Sequence, residues 1–193
     1  MRTSIKNRSA SKRFVADVQF TIAKTPEELR TALSVLVQER GNIALVPTMG
    51  ALHAGHISLV EVAKQIAGGV VLYIFVNPFQ FNEENDFKDY PRNLEADAEI
   101  ARKAGVDVIY APDVEDMYPP QFSTIVTMGA VAEILEGACR PGHFNGVCTV
   151  LTKMFLRVLP NVALFGEKDY QQLVVVSRLV QDLDIPVQVV SKI

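Results

Sequence analysis

The stretch PTMGALHAGHISLV (residues 47–60) decides the fold, because it joins a strand to a helix through a turn that contains glycines and histidines. The apolar run NIALVPT (residues 42–48), which overlaps its start, is typical of a buried strand, and the residues after the turn have the spacing of an amphipathic helix. The turn holds His53 and His56, two of the chain's three histidines, with Gly55 between them. A strand, a turn and a helix in this order predict a parallel α/β unit.

Helical and strand-like segments alternate over the rest of the chain. One helix has a complete set of start and stop signals: Thr25 precedes Pro26, Glu28 stands three residues after the threonine, and Gly41 closes the segment. We predict helices over residues 25–41, 56–69, 92–105, 145–160 and 170–184, strands over residues 42–48, 70–78, 106–112 and 185–190, a strand with its turn over residues 162–169, and a short strand or loop over residues 121–129. The alternation predicts an α/β fold, a Rossmann-like doubly wound parallel sheet with flanking helices, in one domain over residues 18–193.

Length, composition and charge limit the classes of protein to which the chain can belong. With 193 residues, 49% of them hydrophobic, and a net charge of −3, the chain is typical of one soluble globular domain, and its charge gives no sign of a nucleic-acid or membrane partner. No apolar run is long enough to cross a bilayer. The two cysteines, Cys139 and Cys148, are too few for a disulfide framework and indicate a reducing compartment, so we expect a cytoplasmic protein.

The amino terminus differs from the rest of the chain. Its first residues carry five basic side chains, at positions 2, 6, 8, 12 and 13, and three serines. We expect a disordered basic tail over residues 1–17. An organelle transit peptide has the same kind of composition and stays an alternative.

The opening stretch has the chemistry of a phosphate site. A helix that begins near Gly55 points free backbone N–H groups at an anion, and glycine leaves the approach open. His53 and His56 add two donors without a permanent charge, which suits a triphosphate. The stretch is not a Walker A loop, because no Gly-Lys-Ser/Thr follows it. Two alternatives stay open: ordinary capping histidines at a turn, and a metal site that also includes His143.

Other polar residues follow the predicted strands. Pro47 and Met49 follow the first, Asn77 and Gln80 the second, and Gly166 to Asp169 another. Ligands of doubly wound sheets bind beyond the carboxyl ends of the strands, so we expect these residues to meet in one crevice.

Five ordered motifs carry a family resemblance. H-x-G-H resembles the HIGH-type signature of the nucleotidylyltransferase and class I synthetase superfamily. More narrowly, PTMGALHAGHISLV, IFVNPFQF, DFKDYPRNLEAD, RPGHFNGVCTVLTKMF and LFGEKDYQQL resemble the pantoate–β-alanine ligase family, over nearly all of the chain from about Thr21 onward. The resemblance implies ATP-dependent condensation of pantoate with β-alanine to pantothenate, through a pantoyl adenylate, with release of pyrophosphate and AMP.

The resemblance also implies roles for single residues. His53, His56 and Lys168 are its catalytic phosphate contacts, and Asp97 is a Mg²⁺ ligand, with the ion held mainly by ATP phosphates. The remaining assignments are ATP binding for Pro47, Thr48, Met49, Gly55, Gly166 and Asp169, pantoate binding for Met49, Asn77, Gln80 and Gln172, and proximity to the site for Tyr90, Arg92, Arg140 and His143. Local patterns offer a competing explanation in one place, because Asp169 and Gln172 also have the spacing of a helix capping box.

The family pattern extends beyond this sequence. Members of the family are homodimers, and they continue into a G-L-A-x-S-S-R-N motif and a smaller lid domain, which this sequence does not contain. We therefore expect a domain that binds its substrates without efficient turnover. A non-catalytic nucleotide-binding fragment and another HIGH-motif nucleotidylyltransferase stay as alternatives.

Overall fold

The structure, a computed structural model, describes residues 19–192, apart from the side chain of residue 84. The predicted basic tail over residues 1–17 lies outside the described residues, as do residues 18 and 193 at the ends of the predicted domain. The strands are β1 Thr21–Ala23, β2 Ile43–Thr48, β3 Gly69–Ile74, β4 Val108–Tyr110, β5 Val162–Gly166 and β6 Gln188–Lys192. The α-helices are α1 Pro26–Arg40, α2 Ala54–Ile66, α3 Glu84–Asp89, α4 Leu94–Ala104, α5 Val114–Met117, α6 Glu136–Cys139, α7 His143–Val158 and α8 Tyr170–Asp182. Short 3₁₀ turns lie at Pro78–Gln80, Ala130–Ala132 and Glu167–Asp169.

The six strands form one parallel sheet in the order β1-β4-β3-β2-β5-β6. The chain builds outward from β2 through β3 and β4 on one side, then starts again at β5 on the other side of β2. The reversal of direction between β2 and β5 is the topological switch point, where a crevice opens beyond the carboxyl ends of the strands. The predicted Rossmann-like doubly wound fold is confirmed.

Helices cover both faces of the sheet. Alternate strand residues point to opposite faces. Leu45 and Val71 pack with α1, α7 and α8, whereas Val46 and Leu72 pack with α2 and α4. Both faces of the central strands are therefore buried, which explains why the strands read as continuous apolar runs.

Most predicted elements are present, with shifted ends. Helix α1 has the predicted cap: Thr25 accepts from the N–H of Glu28, the Glu28 carboxylate accepts from the N–H of Thr25, and Gly41 ends the helix. Helices α2 and α7 both begin two residues earlier than predicted, after cap residues His53 and Gly142.

Two strands differ from the prediction. The last strand, predicted over residues 185–190, is Gln188–Lys192, beyond Pro186, which has no N–H for a sheet ladder. Strand Thr21–Ala23 was not predicted, because three residues give too short a pattern. Residues 121–129, for which the sequence left a short strand or a loop open, form a loop.

Candidate active site

Two adjacent clefts open at the switch point. One has a volume of about 320 Å³ and the other about 230 Å³. They share part of their lining: Pro47, His53, His56, Phe165, Lys168, Asp169 and Gln172. The predicted histidine pair and the predicted lysine therefore lie at the junction of the two clefts, and the predicted convergence of strand ends is confirmed.

His53 and His56 cap the helix that they begin. His53 Nδ1 accepts from the N–H of Gly55 at 3.0 Å, and the N–H of His53 points at His56 Nδ1 at 3.4 Å. The capping interpretation of the two histidines is thus correct as local geometry. It does not exclude a ligand, because both residues line the clefts and each Nε2 stays available. Since Nδ1 accepts in both rings, each neutral ring carries its proton on Nε2, as a donor.

The small size of Gly55 makes room for the His53 ring, a role that the sequence did not predict. A Cβ on Gly55 would lie 2.8 Å from His53 Cε1 and 3.0 Å from His53 Nδ1. The glycine therefore makes room for the His53 ring to fold back over the helix start, in addition to lining the smaller cleft.

Asp97 is buried and holds the loop in front of the histidines. Its two carboxylate oxygens accept from the N–H groups of Ala51 (3.0 Å) and Leu52 (2.8 Å), and the side chain is 4% exposed. These bonds stabilise an unusual backbone, because Gly50 and Ala51 both have positive φ, at 85° and 51°. Each Asp97 oxygen thus binds one backbone donor in this geometry, and its Mg²⁺ role stays a prediction.

No cluster of three or more His, Cys, Asp or Glu side chains that could hold a metal occurs among residues 19–192. His143, the third histidine of the metal alternative, is held elsewhere: its Nδ1 lies 2.8 Å from the carbonyl oxygen of Gln80. The described residues therefore do not support the metal alternative that includes His143.

Gln80 is fixed through both its side chain and its backbone. Its Oε1 accepts from Asn77 Nδ2 at 3.1 Å, and its Nε2 donates to Met49 Sδ at 2.9 Å. Its carbonyl accepts from Arg140 Nη2 (2.9 Å) and from His143 Nδ1. Because a carbonyl only accepts, His143 carries a proton on Nδ1, and burial lowers the pKa of His143, which favours the neutral ring. Arg140 and His143 therefore both contact Gln80, which lines the larger cleft.

Asn77 is a structural amide rather than a free ligand contact. It is 1% exposed, and all its hydrogen-bonding capacity toward the protein is used: Oδ1 accepts from the N–H of Phe79 and the hydroxyl of Tyr118, and Nδ2 donates to Gln80 and to the carbonyl of Gly146. Asn77 contacts Gln80 directly, and its contact with pantoate stays a prediction.

Gly146 allows helix α7 to approach the Pro78–Gln80 turn. A Cβ there would lie 2.1 Å from the carbonyl oxygen of Phe79. We expected backbone freedom from this glycine, but the requirement is space; only Gly142 of the pair has a positive φ, 81°.

Lys168, Asp169 and Gln172 face the clefts without competing local bonds. Asp169 is the residue before α8 but makes no side-chain cap, so the capping-box alternative is wrong. Within the described residues, the side chains of Lys168 and Gln172 have no hydrogen-bond or ion-pair partner. A cation and an amide donor–acceptor group are therefore open to a ligand.

The remaining predicted residues divide into two groups. Pro47, Thr48, Met49 and Tyr90 line the larger cleft, and Gly166 lines the smaller one. The Thr48 hydroxyl is tied to the backbone, since it donates to the carbonyl of Tyr73 at 2.9 Å and accepts from the N–H of Gly50 at 3.2 Å.

Arg92 lines neither of these two clefts. Its guanidinium donates to the carbonyls of Phe87, Lys88 and Tyr90, and it lies 4.7 Å from the centre of the Phe87 ring. These bonds hold the loop after α3, and the proximity of Arg92 to a ligand stays a prediction.

Sequence reasoning missed part of the lining. Val147, Val150 and Leu151 of α7 form an apolar wall of the larger cleft, and Lys192 lines the smaller one. The α7 residues have i, i+3, i+4 spacing, which is the same signal that a core face gives. Tyr118, behind Asn77, carried no signal of its own.

The arrangement combines neutral donors, the Lys168 cation and an apolar wall. Burial, and then the nearby His53, lower the pKa of His56, so its ring is a neutral donor near pH 7. The smaller cleft has the helix start, Lys168 and the histidines, which suit phosphates. The larger cleft has amides beside an apolar wall, which suit a small hydroxylated, branched acid.

Comparison with known proteins identifies a family. The family model described as pantoate-beta-alanine ligase matches residues 21–192. A pantothenate synthetase of Rhodospirillum rubrum is 53% identical over 170 residues, which cover 88% of this chain and 60% of the relative. A pantothenate synthetase of Chlorobium limicola is 52% identical, again over 88% of this chain and 60% of the relative. The chain thus spans about 60% of the length of these curated relatives.

Solved structures are similar over the same region. A pantothenate synthetase of Thermus thermophilus superposes with a TM-score of 0.85 at 49% identity, over 90% of this chain and 61% of that one. A pantoate-beta-alanine ligase of Francisella tularensis, described as complexed with beta-gamma ATP and beta-alanine, has a TM-score of 0.85 at 40% identity, over 90% of this chain and 66% of that one. No helix among the described residues is both long enough and apolar enough to span a bilayer.

Proposed function

The chain belongs to the pantoate-beta-alanine ligase family, and we propose that its two clefts bind ATP and pantoate for the formation of pantoyl adenylate. The observation that carries the proposal is the position of His53, His56 and Lys168 at the junction of the clefts. The acid in one cleft and the phosphates in the other would meet at these three donors.

We propose a first step that needs alignment and charge neutralisation rather than a base. The pantoate carboxylate is ionised at neutral pH, since carboxyl pKa values lie near about 4. One carboxylate oxygen attacks the α-phosphorus of ATP, an acyl–phosphate bond forms, and the bond to pyrophosphate breaks. Lys168 and the Nε2–H groups of the histidines stabilise the charge on the transferring phosphate and on pyrophosphate.

The larger cleft would orient pantoate. The Gln80 NH₂ group and the Gln172 amide meet its hydroxyl and carboxylate oxygens, and Val147, Val150 and Leu151 pack against its two methyl groups. Met49, the residue after β2, contacts Gln80 and fills the remaining apolar space.

In the second step β-alanine completes the reaction. Its amine, once deprotonated, attacks the carbonyl carbon of the adenylate, an amide bond forms, and AMP leaves. The printed description of the Francisella tularensis structure, which includes beta-alanine, supports β-alanine as the substrate of this step.

We propose that Mg²⁺ arrives as the complex with ATP. The described residues support this, because Asp97 uses both oxygens for backbone N–H groups and no carboxylate cage is present among them. Phosphate oxygens are hard ligands that Mg²⁺ prefers, and few protein ligands are needed.

We propose a homodimer in a reducing compartment. The family resemblance and three leucines that are each more than half exposed, Leu135, Leu156 and Leu159, support a homodimer. Two free cysteines support a reducing, cytoplasmic setting. Light scattering measures the assembly directly, and a monomeric mass would contradict the homodimer.

The experiment on function measures pyrophosphate release that depends on both ATP and pantoate. The same assay compares turnover by this chain and by one of its longer relatives, because these 193 residues match about 60% of a relative. Calorimetry measures ATP binding to this chain separately. We expect the relative to be active and this chain to be slow. Release with another acid and none with pantoate would point instead to a different HIGH-motif nucleotidylyltransferase, and no ATP binding at all would contradict the proposal.

A further inference from the structure

Tyr118, outside both clefts, is linked to Gln80 through Asn77. We propose that Tyr118 is a positioning residue: through Asn77 it holds the Gln80 amide with its NH₂ group turned into the larger cleft. The inference rests on the proposed function only for the identity of the ligand, pantoate. The hydrogen-bond chain itself is a property of the described residues.

The backbone fixes the orientation of the Asn77 amide. The N–H of Phe79 can only donate, and it lies 3.2 Å from Asn77 Oδ1; the carbonyl of Gly146 can only accept, and it lies 3.1 Å from Asn77 Nδ2. The oxygen and nitrogen of Asn77 are therefore assigned by partners of unambiguous polarity.

The orientation of Asn77 then decides that of Gln80. Asn77 Nδ2 lies 3.1 Å from the Gln80 side chain and must meet its oxygen, Oε1. Gln80 Nε2 is left for the Met49 sulfur, 2.9 Å away, and for the cleft. Gln80 thus offers donors and no acceptor to a ligand, so it selects ligand oxygens that can accept.

Tyr118 adds a second donor to Asn77 Oδ1, which favours the observed orientation of the Asn77 amide over the reverse one. Its hydroxyl lies 2.8 Å from Asn77 Oδ1, and its ring is stacked on Phe79 with centroids 4.1 Å apart. Burial raises the pKa of Tyr118, so the hydroxyl keeps its proton and donates. A flipped Asn77 would place its NH₂ group against the N–H of Phe79, and it would lose the bond that the Tyr118 hydroxyl donates to Oδ1.

The test is Tyr118→Phe in the full chain, with Tyr110→Phe as the matched control. Tyr110 also has a buried hydroxyl in a hydrogen bond, from Arg157, but it lines neither cleft. Three quantities are measured: the pantoate dissociation constant, the ATP dissociation constant, and the NMR resonances of the Gln80 side-chain NH₂ group. Thermal denaturation compares the stability of the two variants.

We expect Tyr118→Phe to weaken pantoate binding about five- to tenfold, the loss typical of one hydrogen bond, with ATP affinity unchanged and the Gln80 resonances shifted. Tyr110→Phe should lose similar stability with neither effect. Equal pantoate affinity and unmoved resonances in Tyr118→Phe, or equal losses in both variants, would overturn the proposal. If the wild-type chain bound ATP but not pantoate, the proposed function would fail, and the Gln80 resonances would still decide whether Tyr118 positions the amide.

Discussion

The rings of His53 and His56 lie 4.1 Å apart, centroid to centroid, and are tilted by 36°. Two imidazoles this close resist carrying two positive charges, and burial adds to the effect by lowering the pKa of His56. The proposed phosphate site therefore combines the His56 ring, as a neutral donor, with the Lys168 cation. This division of roles leads to the first prediction.

We predict that His56 titrates below its ordinary pKa of 6.5 in the free chain. ATP should raise that pKa, because phosphate charge next to the ring stabilises its protonated form. Histidine NMR titration with and without ATP measures both values. A midpoint at or above 6.5 in the free chain, or one that ATP does not move, would contradict the site as described.

The same shift predicts a pH dependence of stability. Because the folded-state pKa of His56 is lowered, its contribution is present above the unfolded value of about 6.5 and is lost as pH falls through the folded value. Since His56→Asn removes the titrating group, it should lose less stability than the wild type on acidification. Urea unfolding across this range checks the difference, and parallel curves for the two proteins would count against it.

Asp97→Asn should loosen the loop that carries the histidines. An amide has only one acceptor oxygen for the two N–H groups, so we expect a loss of about 1–3 kcal/mol in unfolding free energy and weaker ATP binding. Asp107→Asn is the control, because Asp107 also accepts a backbone N–H, from Val70 at 2.8 Å, outside both clefts. Normal stability in Asp97→Asn with lost Mg²⁺ dependence of ATP binding would restore the metal role.

Gly146→Ala should displace the turn that carries Gln80. The new Cβ would lie 2.1 Å from the Phe79 carbonyl oxygen, so we expect a stability loss of about 1–3 kcal/mol, as in overpacked cores, and weaker pantoate binding. Gly129→Ala, where a Cβ meets nothing within 4 Å, should be close to neutral. Similar behaviour of the two variants would mean that the close approach of α7 is unimportant.

Lys168→Ala should weaken ATP binding about 10- to 100-fold, the range of a charge-assisted hydrogen bond. Lys168→Arg keeps the charge and should recover part of the affinity. Lys103→Ala serves as the control, since Lys103 pairs with Glu99 on the exposed surface of α4. Calorimetry measures the ATP affinity of all three variants. An affinity that Lys168→Ala leaves unchanged would mean that Lys168 is an ordinary solvent-exposed residue.

The fold was predictable because its signals are local. Apolar runs, the Thr25 cap and glycine stops follow from periodicity and backbone chemistry, and the predicted sheet and most helices are confirmed. The site residues that touch ligands in the proposal, such as Lys168 and Gln80, could be anticipated because they follow strands.

Supporting residues were less predictable because their roles depend on distant contacts. Asp97 reads in the sequence as one helix charge, yet it binds N–H groups more than forty residues away. Gly146 reads as a flexible residue, although the neighbouring backbone requires its small size. Tyr118 reaches Asn77 only after the sheet and α5 are assembled.

The most direct test of the proposed two-cleft site is calorimetry of ATP and pantoate binding, with each ligand titrated in the absence and in the presence of the other. We predict that ATP and pantoate bind at once to adjacent clefts. Lys168→Ala should weaken ATP binding more than pantoate binding, and Gln172→Ala should weaken pantoate binding with little effect on ATP binding. Mutual competition for one site, or the absence of pantoate binding while ATP is bound, would contradict it.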